Sequence, residues 1–387
     1  MSKNTDILSQ FDNYFTSDGP AALVIREHLA PAEGADAVFF PATYAEIGYN
    51  IDGRNRIEDP SAQNIALVDS AGSQANRIEP LFAERPLSVL VPQILIKACE
   101  KTVNLLDAGH RAGDAIARCS ELKDTLQAAF KAVLKGDAAP LAKIAPTSLV
   151  FGVWDSRDTQ AKLPRLVAST IRAYNVRKLK RSATYFAPAD YTALEIFSEE
   201  DRQKAEGDSK NPLSKRGFVN ALANETHGGV IADGGIRRDA TLALSALRLL
   251  KAETPESTLK LRRYILGLAL VDFTRLPLGY YRQGTILVSA TDEKGEPRRE
   301  FLQVSLDGKR IDISFRITAS IALAYAQAAA DDFGVGEDQT VNFEKAQAVA
   351  DVKEGDKKKA AKAVKATKDK KVDTSKASAE PQTTAES

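Results

Sequence analysis

Two short apolar runs, each followed by an Asp-Ser turn, constrain the fold of this chain more than any other feature. Residues 65–68 (Ile-Ala-Leu-Val) and 148–154 (Ser-Leu-Val-Phe-Gly-Val-Trp) are each predicted to be a buried strand, and they continue into the similar segments Asp69–Ala75 and Asp155–Ala161. Such turns end a strand and cap the first turn of a helix. Two ordinary strand-to-helix turns explain so short a similarity. The alternative is a pair of equivalent βα units in a ferredoxin-like βαββαβ core.

Hydrophobic periodicity predicts a mixture of helices and strands over the rest of the chain. Helices are predicted from the first Asp-Ser turn to before Pro80, and over 120–134, 162–174, 239–251, 258–270 and 319–330. Strands are predicted over 21–29 (or a short helix), 87–96 and 310–317, with a hairpin over 285–306 that turns at 293–297. Polar residues 198–212 and Gly-rich residues 228–235 predict loops.

Composition is typical of a globular protein, with 43% hydrophobic and 27% charged residues among 387. Cys99 and Cys119 are the two cysteines, which excludes a disulfide framework and a Cys-rich metal site. Residues 1–15 are polar and acidic, and the longest apolar stretch, Tyr264–Phe273, is too short to span a bilayer. We therefore expect a cytoplasmic protein.

The net charge of +1 conceals a strongly uneven distribution of charge. Residues 1–80 carry a net charge of −7, whereas residues 157–181 carry +7 with a single acid, Asp158. Unpaired like charge of this density is typical of a surface that binds a polyanion, although a solvated basic face is the simpler alternative. From Asp351 onward ten lysines face seven acids, and residues 352–387 are predicted to be disordered.

Sequence signatures of catalysis are absent from the chain. There is no Walker A loop, no dinucleotide-binding Gly motif, no zinc-protease helix motif and no nucleophile elbow. His28, His110 and His227 lie far apart, and no carboxylates have a metal-binding spacing. The sequence therefore predicts no catalytic residue, no metal and no cofactor.

Polar residues on the first predicted helix suit contacts to phosphate, because helix N-termini attract anions and Arg adds a charged fork. Candidates there are Ser73, Gln74, Asn76 and Arg77, and the alternative is a capped surface helix. On the predicted helix 162–174, basic side chains share one edge. Trp154 and Tyr174 flank the basic segment, and we favour a core position for both. Further cationic candidates are Arg157, Lys162, Arg165, Arg172, Lys178, Arg181, Lys215, Arg216, Arg237 and Arg238.

The two Asp-Ser regions together resemble a known family. The stretches are Leu67–Ser70 with Ser73–Glu79, and Ser148–Arg157 running on through Lys162, Pro164-Arg165 and Ile171–Val176; the segments Glu33-Gly34, Phe40-Pro41 and Leu105–Arg111 fit as well. They are similar to the backbone subunit of the type I-G (formerly I-U) CRISPR effector complex, Cascade, of the RAMP superfamily. The resemblance covers roughly Ala21–Gly334.

The resemblance implies an α+β fold with a ferredoxin-like, RRM-like palm, in which an antiparallel sheet with helices carries inserted finger and thumb elements. The implied organisation is an N-terminal segment at 1–20, the RAMP domain at 21–335, and a Lys/Ala-rich linker with a disordered tail at 336–387. It also implies a non-catalytic role: copies stack head to tail along a CRISPR guide RNA and support recognition of a target DNA strand. Other Cascade subunits and a recruited helicase-nuclease are the further expected partners, and no membrane is expected.

Two other functions remain open at the level of sequence. Backbone subunits of type III complexes cut bound RNA with a loop acid and a metal, and Asp36 is the candidate by position; we favour a plain surface acid. A generic single-stranded RNA-binding protein outside CRISPR is the other alternative, and it predicts equal affinity for unrelated RNA. For the tail, we favour a solubilising role over an electrostatic tether for nucleic acid.

Overall fold

The computed structural model describes residues 7–276 and 278–353, apart from the side chain of Asn224. The described chain is mixed α+β, and most of its strand pairs are antiparallel. In chain order the strands are β1 (Ala22–Pro31), β2 (Thr43–Tyr44), β3 (Gly48–Tyr49), β4 (Ile51–Asp52), β5 (Ile65–Asp69), β6 (Ile94–Ala98), β7 (Lys101–Asn104), β8 (Val153–Trp154), β9 (Lys162–Leu163), β10 (Val167–Tyr174), β11 (Val176–Tyr185), β12 (Ala221–Ala232), β13 (Ile236–Ala243), β14 (Tyr280–Arg282), β15 (Thr285–Ser289), β16 (Arg299–Val304), β17 (Arg310–Asp312) and β18 (Gln339–Asn342).

Helices connect these strands. In chain order they are α1 (Ala71–Ile78), α2 (Ala115–Arg118), α3 (Lys123–Leu134), α4 (Ala139–Ile144), α5 (Thr147–Phe151), α6 (Glu199–Ala205), α7 (Pro212–Lys215), α8 (Leu244–Leu247), α9 (Pro255–Phe273) and α10 (Ala319–Phe333). Short 3₁₀ helices occupy Asp12–Phe15, Glu79–Ala83, Ser88–Leu90, Leu105–Asp107 and Arg111–Gly113, and residues 345–353 are helical.

The chain divides into two compact units. Of the described residues, the first comprises 7–78, Arg165–Leu250 and Leu259–Phe333. The second comprises Glu79–Pro164, Lys251–Thr258 and 334–353.

An antiparallel sheet in the order β14-β15-β1-β13-β10-β5-β4 dominates the first unit, and β16 also pairs with β1 and with β17. Burial alternates strictly along β1 and β10, which is the period of two expected for a sheet with one covered face. Leu23, Ile25 and Leu29 of β1 are buried, whereas Arg26 and His28 lie on the opposite, partly open face.

Helix α9 contacts this sheet through Phe273. Phe273 of α9 contacts Phe301 of β16 edge to face, with ring centroids 5.5 Å apart. Gly267 permits the close approach of α10, since a Cβ at this position would lie 2.8 Å from Cα of Ala326. A core cluster of the first unit joins Leu29 of β1, Val68 of β5 and Ile171 of β10.

Strands β11 and β12 form a long two-stranded arm, and residues 186–220 between them form its tip with helices α6 and α7. Gly228 lies in the arm where the strands approach closely, because a Cβ there would be 2.7 Å from the backbone carbon of Lys180. The predicted loop over 228–235 is wrong at its start: Gly228 and Gly229 belong to β12, and the turn follows at Gly234-Gly235.

The second unit contains the sheet β18-β6-β7, in which β18 runs parallel to β6, and the β8–β9 hairpin. Its buried ion pair joins Arg111 Nε to Glu79 Oε2 over 2.7 Å. Burial raises the pKa of Glu79 to about 7, against the opposing effect of Arg111. The Leu105–Arg111 segment thus contributes a structural arginine rather than an exposed one.

Several predicted elements are confirmed. The strand at 65–68, the helix that ends before Pro80 and the three helices predicted at 120–134, 258–270 and 319–330 all appear, with ends shifted by a few residues. The 21–29 segment is the strand alternative. Gly136 follows α3 with φ of 92°, a conformation that favours glycine and ends the helix.

The predicted helix at 162–174 is wrong, because this segment forms β9 and β10. Val167, Ser169, Ile171 and Ala173 alternate with half-buried residues, so the period is two and the β-branched side chains pack across the sheet. The predicted basic edge of a helix therefore does not exist.

The predicted helix at 239–251 is wrong in the same way. Residues Ile236–Ala243 form β13 between β1 and β10, and only Leu244–Leu247 is helical. The predicted strand at 148–154 is instead α5, which Gly152 (φ 80°) ends before the two-residue β8. Every residue of α5 is buried, and periodicity cannot distinguish such a helix from a buried strand.

The remaining differences concern pairing and extent. β15 and β16 lie end to end along β1, so the predicted 285–306 hairpin is reduced to a small excursion with a bridge between Thr291 and Pro297. The predicted strands 87–96 and 310–317 shorten to β6 and β17, and the predicted 198–212 loop contains α6. Residues 336–353 of the predicted linker contribute β18 and a helix, and residues 354–387 lie outside the described part of the chain.

Candidate nucleic-acid interface

A buried carboxylate, Asp69, organises the first predicted site at the junction of β5 and α1. Asp69 is 1% exposed and accepts hydrogen bonds from Ser73 Oγ (2.7 Å), Gln74 Nε2 (2.5 Å) and Arg282 Nη2 (3.1 Å). Arg77 Nε lies 3.4 Å from Asp69 Oδ2, the oxygen that also accepts from Gln74. We call these five residues the Asp69 hub. The hub joins α1 to β14. Ser73, Gln74 and Arg77, which were predicted to contact RNA, all contact the carboxylate of Asp69.

Gln74 is the member of the hub that is least available to a ligand. It is 3% exposed, and its Oε1 accepts a hydrogen bond from Ser169 Oγ of β10 at 3.2 Å. Both ends of the amide are thus engaged between β5 and β10. Gln74 positions α1 on the sheet, and Asn76 is the exposed residue of the predicted set.

Arg77 and Arg282 share the single charge of Asp69. Their side chains are 31% and 22% exposed, so both guanidinium groups retain access to solvent. Burial lowers the pKa of Arg282, and neighbouring Arg77 adds to this effect while Asp69 opposes it. Two cations around one carboxylate leave a net positive charge on a rigid frame, which is suited to binding a phosphate.

Arg165 lies near the start of α1, beside Gly72. A Cβ on Gly72 would lie 3.5 Å from Arg165 Nη2. The positive end of the helix dipole and the exposed Arg165 side chain therefore act on the same region. The sequence placed Arg165 on a different helix, and the structure instead brings it to the first predicted site.

The open face of the sheet carries a row of basic residues that the sequence identified only in part. The register places Arg237 of β13 opposite both His28 of β1 and Arg172 of β10. Burial lowers the pKa of His28, and Arg298, Arg237 and Arg26 lower it further. These three arginines surround His28 with positive charge, which Glu300 opposes in part.

Tyr174 lies on this open face rather than in the core. The guanidinium carbon of Arg237 lies 4.9 Å from the Tyr174 ring centroid, and Arg237 Nη2 donates to the Tyr174 hydroxyl over 2.9 Å. Asp239 accepts from Arg237 Nε over 2.9 Å. Arg237 is therefore partly neutralised, and its position is fixed.

Arg238 points to the opposite face and is buried. Its Nε donates to Glu27 Oε2 over 2.8 Å, and the side chains are 5% and 0% exposed. Adjacent residues of a strand face opposite sides, so the Arg237-Arg238 pair cannot act as one basic patch. Arg238 stabilises the sheet interior and is not accessible to a ligand.

The arm carries the remaining candidates of the first unit. Arg181 is exposed, with its guanidinium carbon 5.9 Å from the Phe40 ring centroid, and Lys178 is half-buried. Lys215 and Arg216 are exposed at the end of α7 in the tip. The arm thus presents cations along its length, and Arg181 contacts Phe40, whose backbone oxygen also accepts a hydrogen bond from Arg282 of the hub.

Arg157 and Lys162 belong to the second unit. Arg157 is exposed in the β8–β9 turn, which Asp155 organises by accepting from Thr159 Oγ1 over 2.6 Å. This turn opens no helix, so its similarity to Asp69–Ala75 is one of local hydrogen bonding. Lys162 Nζ lies 5.4 Å from the ring centroid of Trp154, which is 55% exposed rather than in the core.

Sequence reasoning missed Arg282 and the Arg26–His28 side of the open face as parts of a site. Arg26 and His28 alternate with Ile25 and Leu29, and this period-two pattern was the available signal. Arg282 had no such signal, because its role depends on β14 lying near α1. Asp36 is exposed in the loop after β1, and residues 7–276 and 278–353 contain no group of three His, Cys, Asp or Glu side chains able to hold a metal.

Comparison with known protein families gives a match over part of the chain. Residues 23–178 match the family model described as CRISPR-associated protein GSU0053, a span that includes most of β1, the Asp69–Arg77 part of the hub, Arg165 and Arg172. This match indicates a CRISPR-associated protein. No curated protein matches the chain. Among the described helices, none is both long and apolar enough to cross a bilayer.

Proposed function

We propose that this chain is the non-catalytic, guide-RNA-binding backbone subunit of a type I-G CRISPR effector complex, acting in antiviral defence. The observation that carries the proposal is the Asp69 hub, where Arg77 and Arg282 share one buried carboxylate and retain a net positive charge. The region matched by a CRISPR-associated family model includes the Asp69–Arg77 part of the hub. Its exposed cations contact phosphate, and contacts of this kind hold a guide independently of its sequence.

The residues proposed to contact RNA follow from exposure. Arg77, Arg282 and Arg165 form the primary contact around α1, and Arg172 with Arg237 forms a separate contact on the opposite, open sheet face. Ser73 and Gln74 position these groups. The exposed cations Arg181, Lys215 and Arg216 on the arm, and Arg157 and Lys162 on the second unit, make secondary contacts.

The antiparallel sheet with α1 on its covered side is proposed to be the RRM-like palm of a RAMP protein, and the β11–β12 arm is an inserted finger or thumb. Copies then stack head to tail along the guide, with target DNA, other Cascade subunits and a helicase-nuclease as further partners in the cytoplasm. Such a heterologous interface generates an open filament that other subunits terminate.

The contact set is tested by salt-dependent binding of the protein to repeat-derived RNA. Each lost phosphate contact flattens the slope of log affinity against log salt by about 0.7 for a single strand. Arg77→Ala, Arg282→Ala and Arg165→Ala are each expected to do so, whereas Arg310→Ala, an exposed arginine of β17, is the matched control. Slopes equal to that of the control would remove the hub from the interface.

The absence of catalysis is part of the proposal and has its own test. Complementary RNA is incubated with the protein–guide complex and Mg²⁺ or Mn²⁺, and we expect the RNA to remain intact. Cleavage that Asp36→Asn abolishes would instead establish the metal-dependent ribonuclease.

A further inference from the structure

The β8–β9 hairpin of the second unit presents Trp154, the single tryptophan of the chain, to solvent. Tryptophan side chains are strongly buried on average, yet Trp154 is 55% exposed, whereas its neighbour Val153 is 6% exposed. Successive residues of a strand point to opposite sides, so the hairpin buries the smaller apolar side chain and turns the larger one outward. The contacts proposed above for Arg157 and Lys162 leave this ring without a role.

The backbone that carries Trp154 is held in place on both sides of the residue. β8 packs closely on the 3₁₀ helix Arg111–Gly113, because a Cβ on Gly113 would lie 2.9 Å from the Trp154 carbonyl oxygen. Asp155, which follows, is 1% exposed and accepts from the backbone N–H (2.7 Å) and Oγ1 (2.6 Å) of Thr159. The ring is therefore mounted on a fixed turn, and little backbone ordering opposes binding to it.

Cations border the exposed ring. Trp154 of β8 is paired directly with Lys162 of β9, and Lys162 Nζ lies 5.4 Å from the ring centroid. Arg157 is exposed in the turn between the two strands. Of the two acids in that turn, Asp158 is exposed, and the Asp155 carboxylate is buried and bonded to Thr159. An aromatic surface with cations beside it is the arrangement that binds single strands, because bases stack on the ring and phosphates meet the cations.

We propose that Trp154 is a stacking platform for an unpaired nucleobase, with Lys162 and Arg157 on the phosphates next to that base. The proposal rests on the RNA-binding function proposed above, and it states how the second unit takes part in it. Every base has a π face, so the platform does not read sequence. The exposed cations favour a nucleic-acid strand over an apolar protein surface, because covering a charge with apolar groups is costly.

The fluorescence of the single tryptophan reports directly on this contact. The full-length protein is titrated with single-stranded repeat-derived RNA that carries a terminal label, and tryptophan emission and label anisotropy are recorded together. We expect emission to fall as RNA binds, and to level off at the RNA concentration where the anisotropy does. Inorganic polyphosphate, which supplies phosphate without bases, should leave the emission unchanged. Equal quenching by polyphosphate, or bound RNA without quenching, would overturn the proposal.

Variants of the ring separate stacking from charge. Trp154→Leu should weaken RNA binding about fivefold or more and leave the slope of log affinity against log salt unchanged, because no phosphate contact is lost. Trp154→Phe keeps a π face and should bind within about twofold of wild type. Lys162→Ala should instead flatten the slope by about 0.7. The matched control is Phe315→Leu, at a ring that is 70% exposed in the first unit, and it should change neither quantity.

The outcomes distinguish this proposal from the function on which it rests. If Trp154→Leu binds RNA as tightly as Phe315→Leu while Arg77→Ala still flattens the salt slope, the platform is wrong and the RNA interface stands. That result is also the one expected if the ring contacts another protein. If labelled RNA gives no anisotropy change with the wild-type protein, the proposed function fails and the platform fails with it.

Discussion

Arg282 donates a hydrogen bond from Nη2 to Oδ1 of Asp69 over 3.1 Å, although 213 residues separate the two in sequence. Asp69 ends β5 and Arg282 ends β14. These strands lie near opposite ends of the strand order in the sheet of the first unit, so the contact joins strands that are not neighbours. It also brings a second arginine beside Arg77. One buried carboxylate thereby fixes two partly exposed cations.

Removing the Asp69 charge should destabilise the first unit. Asp69→Asn leaves Arg77 and Arg282 with reduced pairing and disturbs the bond from Ser73, and we expect a loss of about 2–3 kcal/mol in the free energy of unfolding. Urea unfolding followed by circular dichroism measures it, with the exposed Asp36→Asn as the matched control. A loss no larger than that of Asp36→Asn would show that the hub contributes little to stability.

Gln74 and Arg77 should separate structure from binding, although they are three residues apart on one short helix. Gln74→Leu deprives Asp69 and Ser169 of a buried partner and should cost about 1–3 kcal/mol of stability, without changing the salt slope of RNA binding. Arg77→Ala should flatten that slope by about 0.7. If Gln74→Leu flattened the slope equally, the amide would belong to the interface itself.

The lowered pKa of His28 predicts two pH effects of opposite sign. Because the folded state disfavours protonated His28, stability should fall as pH decreases below 6.5, and His28→Gln should remove that part of the decline. Bound phosphate favours the protonated form, so RNA affinity should rise over the same range. NMR titration of the His28 ring measures its pKa in the free and in the RNA-bound protein. The control variant is His110→Gln, at an exposed histidine of the second unit. A pKa unchanged by RNA would place the nucleic acid away from the open face.

Asp272 should make stability fall as pH rises. Burial raises its pKa from 3.8 to about 7, opposed by Arg238 and Arg275, and among the described residues its Oδ1 has no hydrogen-bond partner. Between pH 3.8 and about 7, Asp272 therefore keeps a proton in the folded state that it has lost in the unfolded state. Asp272→Asn should gain stability relative to wild type from pH 4 to 8, by about 4 kcal/mol at most. A difference independent of pH would show that Asp272 is ionised in the fold throughout.

Local patterns predicted the elements whose periodicity and caps agree, such as the strand at 65–68, α1 and α9. They failed at β10 and β13, where apolar residues fit both a helical arc and an alternating strand. Val167 and Ile171, for example, are four residues apart, a spacing compatible with one helix face and with one strand face. The pairing of β10 with β5 and β13 decided between them, and such pairing is a tertiary effect.

The candidate site was predictable in composition but not in geometry. The Ser73–Arg77 motif and Arg165 are recognisable as polar and basic residues near a helix start. Arg282 lies beside them only because of the order of the strands in the sheet. Arg238 is not a candidate contact, because it is buried on the face opposite to its neighbour Arg237. A sum of charges likewise concealed the interface, since +1 overall coexists with a locally basic face.

The central claim is that this protein binds guide RNA and assembles along it. The direct measurement is to co-express the full-length chain with a CRISPR array, purify it, and determine the length of the bound nucleic acid together with the particle shape by electron microscopy. We expect RNA of uniform length in a particle with a regular repeat, and loss of that RNA in the Arg77→Ala/Arg282→Ala variant. Nucleic-acid-free monomers from the wild-type preparation would contradict it.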